Sequence, residues 1–122
     1  ELGDHHADGP FSLALETQLN GELFGAPECG VDMTFNFNQL VAHVSKTRAL
    51  GAGTIIGSGT ISNYDRSKGS SCIAEKRMLE TIEHGEPKTP FMKYGDTVRI
   101  EMRDGDGKSI FGVIEQTVVP AS

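Results

Sequence analysis

From Phe11 to Leu19 the chain alternates. Phe11, Leu13, Leu15, Thr17 and Leu19 fall on one side, and Ser12, Ala14, Glu16 and Gln18 on the other, the period of two that marks a half-buried strand. Asn20-Gly21 follows, a pair suited to the positive φ of a two-residue hairpin turn, and Glu22-Leu23-Phe24-Gly25 returns antiparallel. Further along the period changes. Phe37, Leu40, Val41 and Val44 stand at i, i+3, i+4 and i+7, with Asn36 as N-cap and Gln39 as its capping-box partner. Lys46 and Arg48 suit the negative end of that helix and Gly51 its termination, which predicts one helix over residues 37–47. Gly53 to Gly59, with the β-branched Ile55 and Ile56, reads as a short buried strand entering a tight turn. Residues 72–83 fit either a short helix or a strand. Met78, Glu80 and Ile82 alternate with Leu79, Thr81 and Glu83, which favours a strand over 77–83. Val98, Ile100 and Met102 alternate inward, Asp104-Gly105-Asp106-Gly107 turns, and the stretch from Ser109 to Val119 returns as a strand. Lys93 to Asp96 opens this second hairpin, and long loops are expected around 26–34 and 62–71. The pattern predicts a mainly β fold with one short helix (α+β).

Composition narrows the function classes. The 122 residues suit a single domain spanning 1–122, 15 glycines fit a fold of many turns, and 37% hydrophobic with 23% charged residues is ordinary for a globular chain. A net charge of −6 without a Lys/Arg cluster offers little to a phosphate backbone or an anionic lipid surface, so neither nucleic acid nor membrane is an expected partner. No apolar run reaches the ~18 residues of a membrane helix, and the acidic start has no signal-peptide pattern, so a soluble cytoplasmic protein is expected. Cys29 and Cys72 stand far apart and read as reduced thiols. The first residue is Glu1, not Met, which suggests further sequence upstream.

Several stretches approach known chemical motifs. Asp104 to Glu115 resembles a calcium loop, but Ser109 occupies the position where that loop needs glycine, so a hairpin turn is the better reading. Asp4, His5, His6 and Asp8 could in principle bind metal, yet adjacent histidines diverge, and an exposed loop is expected. The glycines around Gly57-Ser58-Gly59-Thr60 match neither a phosphate loop nor a dinucleotide fingerprint nor a nucleophile elbow. What they leave is a strand end with exposed N–H groups and the Thr60 hydroxyl, able to hold a polar ligand group or simply to turn a corner. Glu80 sits among apolar residues. A buried carboxylate there would need a partner, a metal or a raised pKa, the last suiting a general base; on a surface helix, Glu75, Lys76, Glu80 and Glu83 would simply be solvated.

Taken together, the segments Gly30 to Ser62, Met78 to Met102 and Ser109 to Val119 resemble the carboxy-terminal portion of the fumarylacetoacetate hydrolase family. The likeness runs from the Leu19–Gly25 hairpin through Asp32-Met33-Thr34-Phe35 and the Gly59-Thr60 turn to the second hairpin. It implies part of a mixed β-roll that cleaves or rearranges β-dicarbonyl compounds, with Mg²⁺ or Ca²⁺ chelating paired substrate oxygens. In the hydrolases of such a family, water attacks a carbonyl and the leaving carbanion is stabilised as an enolate. By the same resemblance Thr60 contacts substrate, Gly59 permits its close approach, and Glu80 matches the glutamate that helps a histidine activate water. The long Asn63–Ser71 loop leaves Glu75 as the rival for that role.

The family's metal ligands, catalytic histidine and lysine lie upstream of the part this chain resembles. No metal is therefore expected on this chain alone, and the upstream part of the catalytic domain and a second copy, as a homodimer, are expected partners. Hydrolysis of a carbon–carbon bond in a β-diketone or acylpyruvate, for instance the β-diketone fumarylacetoacetate, giving fumarate and acetoacetate in aromatic amino-acid (tyrosine) catabolism, is the implied activity. The alternatives are an inactive, self-associating remnant and a family isomerase or decarboxylase.

Overall fold

Residues 12–121 are described by a computed structural model. β1 (Leu15–Leu19) and β2 (Glu22–Gly25) form the first hairpin, and α1 (Phe37–Ser45) follows. A long irregular stretch containing a 3-10 turn at Arg66–Lys68 leads to α2 (Ile73–His84), then to the hairpin of β3 (Thr97–Arg103) and β4 (Ser109–Thr117). The four strands make one antiparallel sheet in the order β2-β1-β3-β4, so the two hairpins meet edge to edge and the fold is mainly β with two helices. No helix among the described residues is long and apolar enough to cross a membrane.

The turn chemistry behaves as the residues dictate. Asn20 and Gly21 take φ of 53° and 81°, the left-handed pair of a tight hairpin. The Asn20 side chain also ties the hairpins together, its Nδ2 donating to Asp96 Oδ1 at 2.9 Å and its Oδ1 accepting from the Thr97 N–H at 2.8 Å. In α1 both halves of the Asn36/Gln39 capping box are present at 2.9 Å. The Asp104 loop is a turn, with Asp104 Oδ1 accepting from the N–H groups of Asp106 and Lys108.

Two predicted strands are absent. Residues 53–61 carry no regular structure and Ile55 is 91% exposed, because no neighbouring strand offers a ladder to this glycine-flanked run. Residues 77–83 belong to α2, not to a strand. The half-buried positions Ile73, Lys76, Arg77 and Glu80 recur at helical spacing, but three of them are polar, so the inward face is invisible to a search for apolar periodicity. Lys76 lies over the Phe24 ring and Arg77 over the Phe91 ring, 5.6 and 4.4 Å from the centroids, so cationic side chains cover aromatic surface with their stems. Gly85, in the left-handed conformation, ends the helix by donating to Thr81 O.

The interior is small. Among the described residues the buried hydrophobic side chains are Cys29 and Met102, beside a fully buried Pro27. Glu101 is buried too, and its carboxylate meets Arg99 at 2.6 Å and Arg103 at 2.5 Å. Burial pushes its pKa up, but hydrogen bonds from Arg99 and Arg103, with the Arg103 charge, outweigh this and hold it below the usual carboxylate range. The Asp4/His5/His6/Asp8 cluster lies outside the described residues.

Candidate functional site

Thr60 lies on the irregular stretch between α1 and α2. Together with Ser58, Ile61 and Ser62 it forms one wall of a cleft of about 240 Å³ whose other wall is Asp32, Met33, Thr34 and Phe35. An apolar recess of about 250 Å³ continues beneath it, sharing Cys29, Met33, Ser58 and Ile61 and adding Leu15, Phe37, Met102 and Phe111. The cleft thus offers hydroxyls and a carboxylate at its mouth and hydrocarbon behind, the mixed lining that suits a small polar molecule. Gly59 takes φ of 83° and a Cβ there would meet nothing within 4 Å, so its backbone conformation, not crowding, calls for glycine.

Side chains, not strand ladders, hold this wall in place. The buried Asn63 accepts from the Glu28 N–H at 2.7 Å and donates to the carbonyls of Glu28 and Val31 at 3.1 Å each. Asp32, itself at φ of 61°, accepts from the Tyr64 N–H at 2.9 Å. Ser71 Oγ donates to Ile61 O at 2.8 Å.

The two candidate glutamates occupy different places. Glu75 stands in the first turn of α2, where the positive end of the helix favours an anion. It accepts hydrogen bonds from the hydroxyls of Ser62 and Ser70, the latter at 2.7 Å. Since Ser62 lines the cleft beside Thr60, Glu75 stands one hydrogen bond behind it. Glu80 does not line the cleft; its carboxylate receives the Thr89 hydroxyl at 2.6 Å, the Thr89 N–H at 2.8 Å and the Lys88 N–H at 2.7 Å. The bonds from Thr89 lead, with Lys88 and the Lys76 charge assisting against desolvation, in holding its pKa at about 2. The raised pKa expected of a general base is therefore not what this carboxylate has.

Cys29 touches the cleft, but burial, helped by the Glu28 charge, pushes its thiol up to about 11, so it stays protonated at neutral pH and is a poor nucleophile. A neighbouring recess of about 190 Å³ shares Asp32 and Ser62 and adds Arg66. Asp32 stands in the Asp32-Met33-Thr34-Phe35 segment that carries the family resemblance, but Ser62, Asn63 and Arg66 have no sequence signal of a site; an Asn among polar loop residues carries no pattern, and only the fold reveals its three backbone partners. Among the described residues no three His, Cys, Asp or Glu side chains come together as a metal site, and the carboxylates of Asp32 and Glu75 are already engaged in hydrogen bonds. These residues by themselves do not fit a divalent metal centre.

A family model described as fumarylacetoacetate (FAA) hydrolase, C-terminal, matches residues 2–119. No curated protein matches the chain.

Proposed function

The chain belongs to the fumarylacetoacetate hydrolase family, and from that premise we propose that it forms the substrate-facing wall of an enzyme that hydrolyses a carbon–carbon bond in a β-diketone. Fumarylacetoacetate, in aromatic amino-acid catabolism, is the member of that class we favour. The observation that carries the reading is the convergence of Thr60, Ser62 and Asp32 on one cleft with Glu75 directly behind Ser62.

In this reading the Thr60 hydroxyl donates to a substrate oxygen, and gains most when that oxygen becomes an enolate. Gly59 turns the chain so that Thr60 and its neighbours face the cleft. Glu75, which accepts hydrogen bonds from two serine hydroxyls, also accepts the N–H of a histidine supplied by the upstream part of the catalytic domain and orients it as a base toward water. The geometry supports Glu75 over Glu80 in this role, because Glu80 is committed to the Lys88-Thr89 loop. Domains of this family commonly bind divalent metals; the ligands for Mg²⁺ or Ca²⁺ belong, on this reading, to the same upstream part, and no step is assigned to the metal on this chain. The exposed apolar residues of β4, Phe111, Val113 and Ile114, give the upstream part and a second copy of the chain a surface to cover.

The test is steady-state hydrolysis of fumarylacetoacetate by the intact protein, followed by loss of the β-diketone absorbance. Thr60→Val should lower kcat/KM by about 10²-fold. Unchanged kinetics in that variant would remove Thr60 from the site, and an intact protein without turnover on any β-diketone would refute the hydrolase reading.

A further inference from the structure

The Thr60-bearing stretch poses a physical problem. It lines a cleft, yet among the described residues its backbone belongs to no strand or helix from 50 to 65, and the backbone of 51–62 bonds to itself in one turn, from the Thr54 N–H to Gly51 O. Something else must fix the distance between the two walls.

We propose that Asn63 is a positioning residue that sets the width of this cleft, acting on the site through the backbone rather than by touching substrate. The inference rests on the reading that Thr60 meets substrate there. Asn63 is 5% exposed. Its side-chain amide spans from the Thr60 wall to the Asp32 wall, taking the Glu28 N–H at 2.7 Å and giving its own protons to Glu28 O and Val31 O at 3.1 Å. An amide is the one neutral group that can accept from an N–H and donate to two carbonyls at once. Aspartate has the same shape but would turn an acceptor toward both carbonyls, and a serine hydroxyl is too short to reach all three. The positions fixed by the bridge are those that matter. Val31 precedes Asp32, whose carboxylate in turn accepts from Tyr64, the residue after Asn63, so two bonds, each using one side chain and both donated from the 63–64 segment, close a small ring between the two walls. On the far side, Ser71 Oγ holds Ile61 O, so Thr60 and Ser62 sit on a segment pinned at 61, 63 and 64. Loss of the central pin frees the wall while leaving the sheet registers of β1 and β3, which share none of these bonds, as they are.

The experiment compares the intact protein with its Asn63→Asp and Asn63→Ser variants by hydrogen exchange and by steady-state kinetics. Exchange of the Glu28 and Tyr64 amides, which donate to Asn63 and Asp32, should accelerate about tenfold or more while those of β1 and β3 keep their rates. KM should rise about tenfold with kcat changed by less than about threefold, and Ser should be milder than Asp. Acceleration spread evenly over β1 and β3, unchanged exchange at Glu28 and Tyr64, or failure of both variants to fold would each make Asn63 a general structural residue and overturn the proposal. The exchange result stands whatever the reaction is: an intact protein with no β-diketone turnover would sink the hydrolase reading, whereas local loosening with unaltered KM in an active enzyme would sink the positioning role alone.

Discussion

Gly25 and Gly69 approach each other so closely that neither has room for a side chain, and replacing Gly25 by alanine puts a number on that contact. A Cβ on Gly25 would fall 2.9 Å from the carbonyl carbon of Ser70 and closer still to the Ser70 nitrogen and oxygen. Every one of these neighbours is main chain, so no rotamer change relieves the overlap. The 68–70 segment would have to lift from β2, weakening the isolated Gly25–Gly69 bridge and the bond from the Ala26 N–H to Lys68 O at 2.8 Å. Overpacking costs about 1–3 kcal/mol where side chains can share the strain; with backbone on both sides we expect the upper end, about 3 kcal/mol, and a drop in Tm on the order of 10 °C. Gly57→Ala is the matched control, since a Cβ there meets nothing within 4 Å and its φ is not positive; it should be neutral or stabilising by up to about 1 kcal/mol. Urea titration followed by circular dichroism, with equal slopes in both variants, measures the difference. A Gly25→Ala protein within about 0.5 kcal/mol of its parent would refute the close-packing argument.

Glu75→Gln should lower kcat by about 10²-fold with little change in folding, and Glu80→Gln should retain turnover; the reverse pattern would transfer the proposed catalytic role to Glu80. The Glu80 carboxyl, with an ordinary pKa of 4.5 lowered to about 2 by Thr89 and Lys88, contributes stability that is fully present above pH 4.5 and is lost as pH falls toward 2. Glu80→Gln should therefore flatten that part of the acid-unfolding curve, as read by thermal melts at stepped pH, and a curve of unchanged shape would contradict the assignment.

Much of the sheet was legible in the chain because both hairpins combine strict alternation with turn residues that admit few other conformations, as at Asn20-Gly21 and Asp104–Gly107. The α1 helix was equally legible from its capping box. The second helix was misread because its inward face is built from Lys76, Arg77 and Glu80, whose partners Phe24, Phe91 and Thr89 are distant in sequence or lie on a loop. Ile55 and Ile56 misled for the opposite reason: β-branched residues favour a strand only where a neighbouring strand can pair with it. Gly59 and Thr60 were expected at a site through family resemblance, and Asp32 stands in a segment that carries it, whereas the bonds that Asp32 and Asn63 make to distant backbone groups became visible only in the fold.

The central pairing of the sheet has a consequence for how the chain folds. β1 meets β3 with Leu15 opposite Met102 and Leu19 opposite Val98, so the innermost ladder joins residues roughly eighty positions apart, and everything that builds the cleft lies in the excursion between them. Closing that excursion is a non-local, entropically expensive step that local turns cannot hurry. During synthesis the Thr60 wall, α2 and the Asn63 bridge all leave the ribosome before β3 does, and they wait without the sheet they rest on. The binding surface is therefore among the last parts of this molecule to acquire its shape, and refolding experiments should see β-sheet signal and cleft formation arrive together, slowly, rather than in sequence.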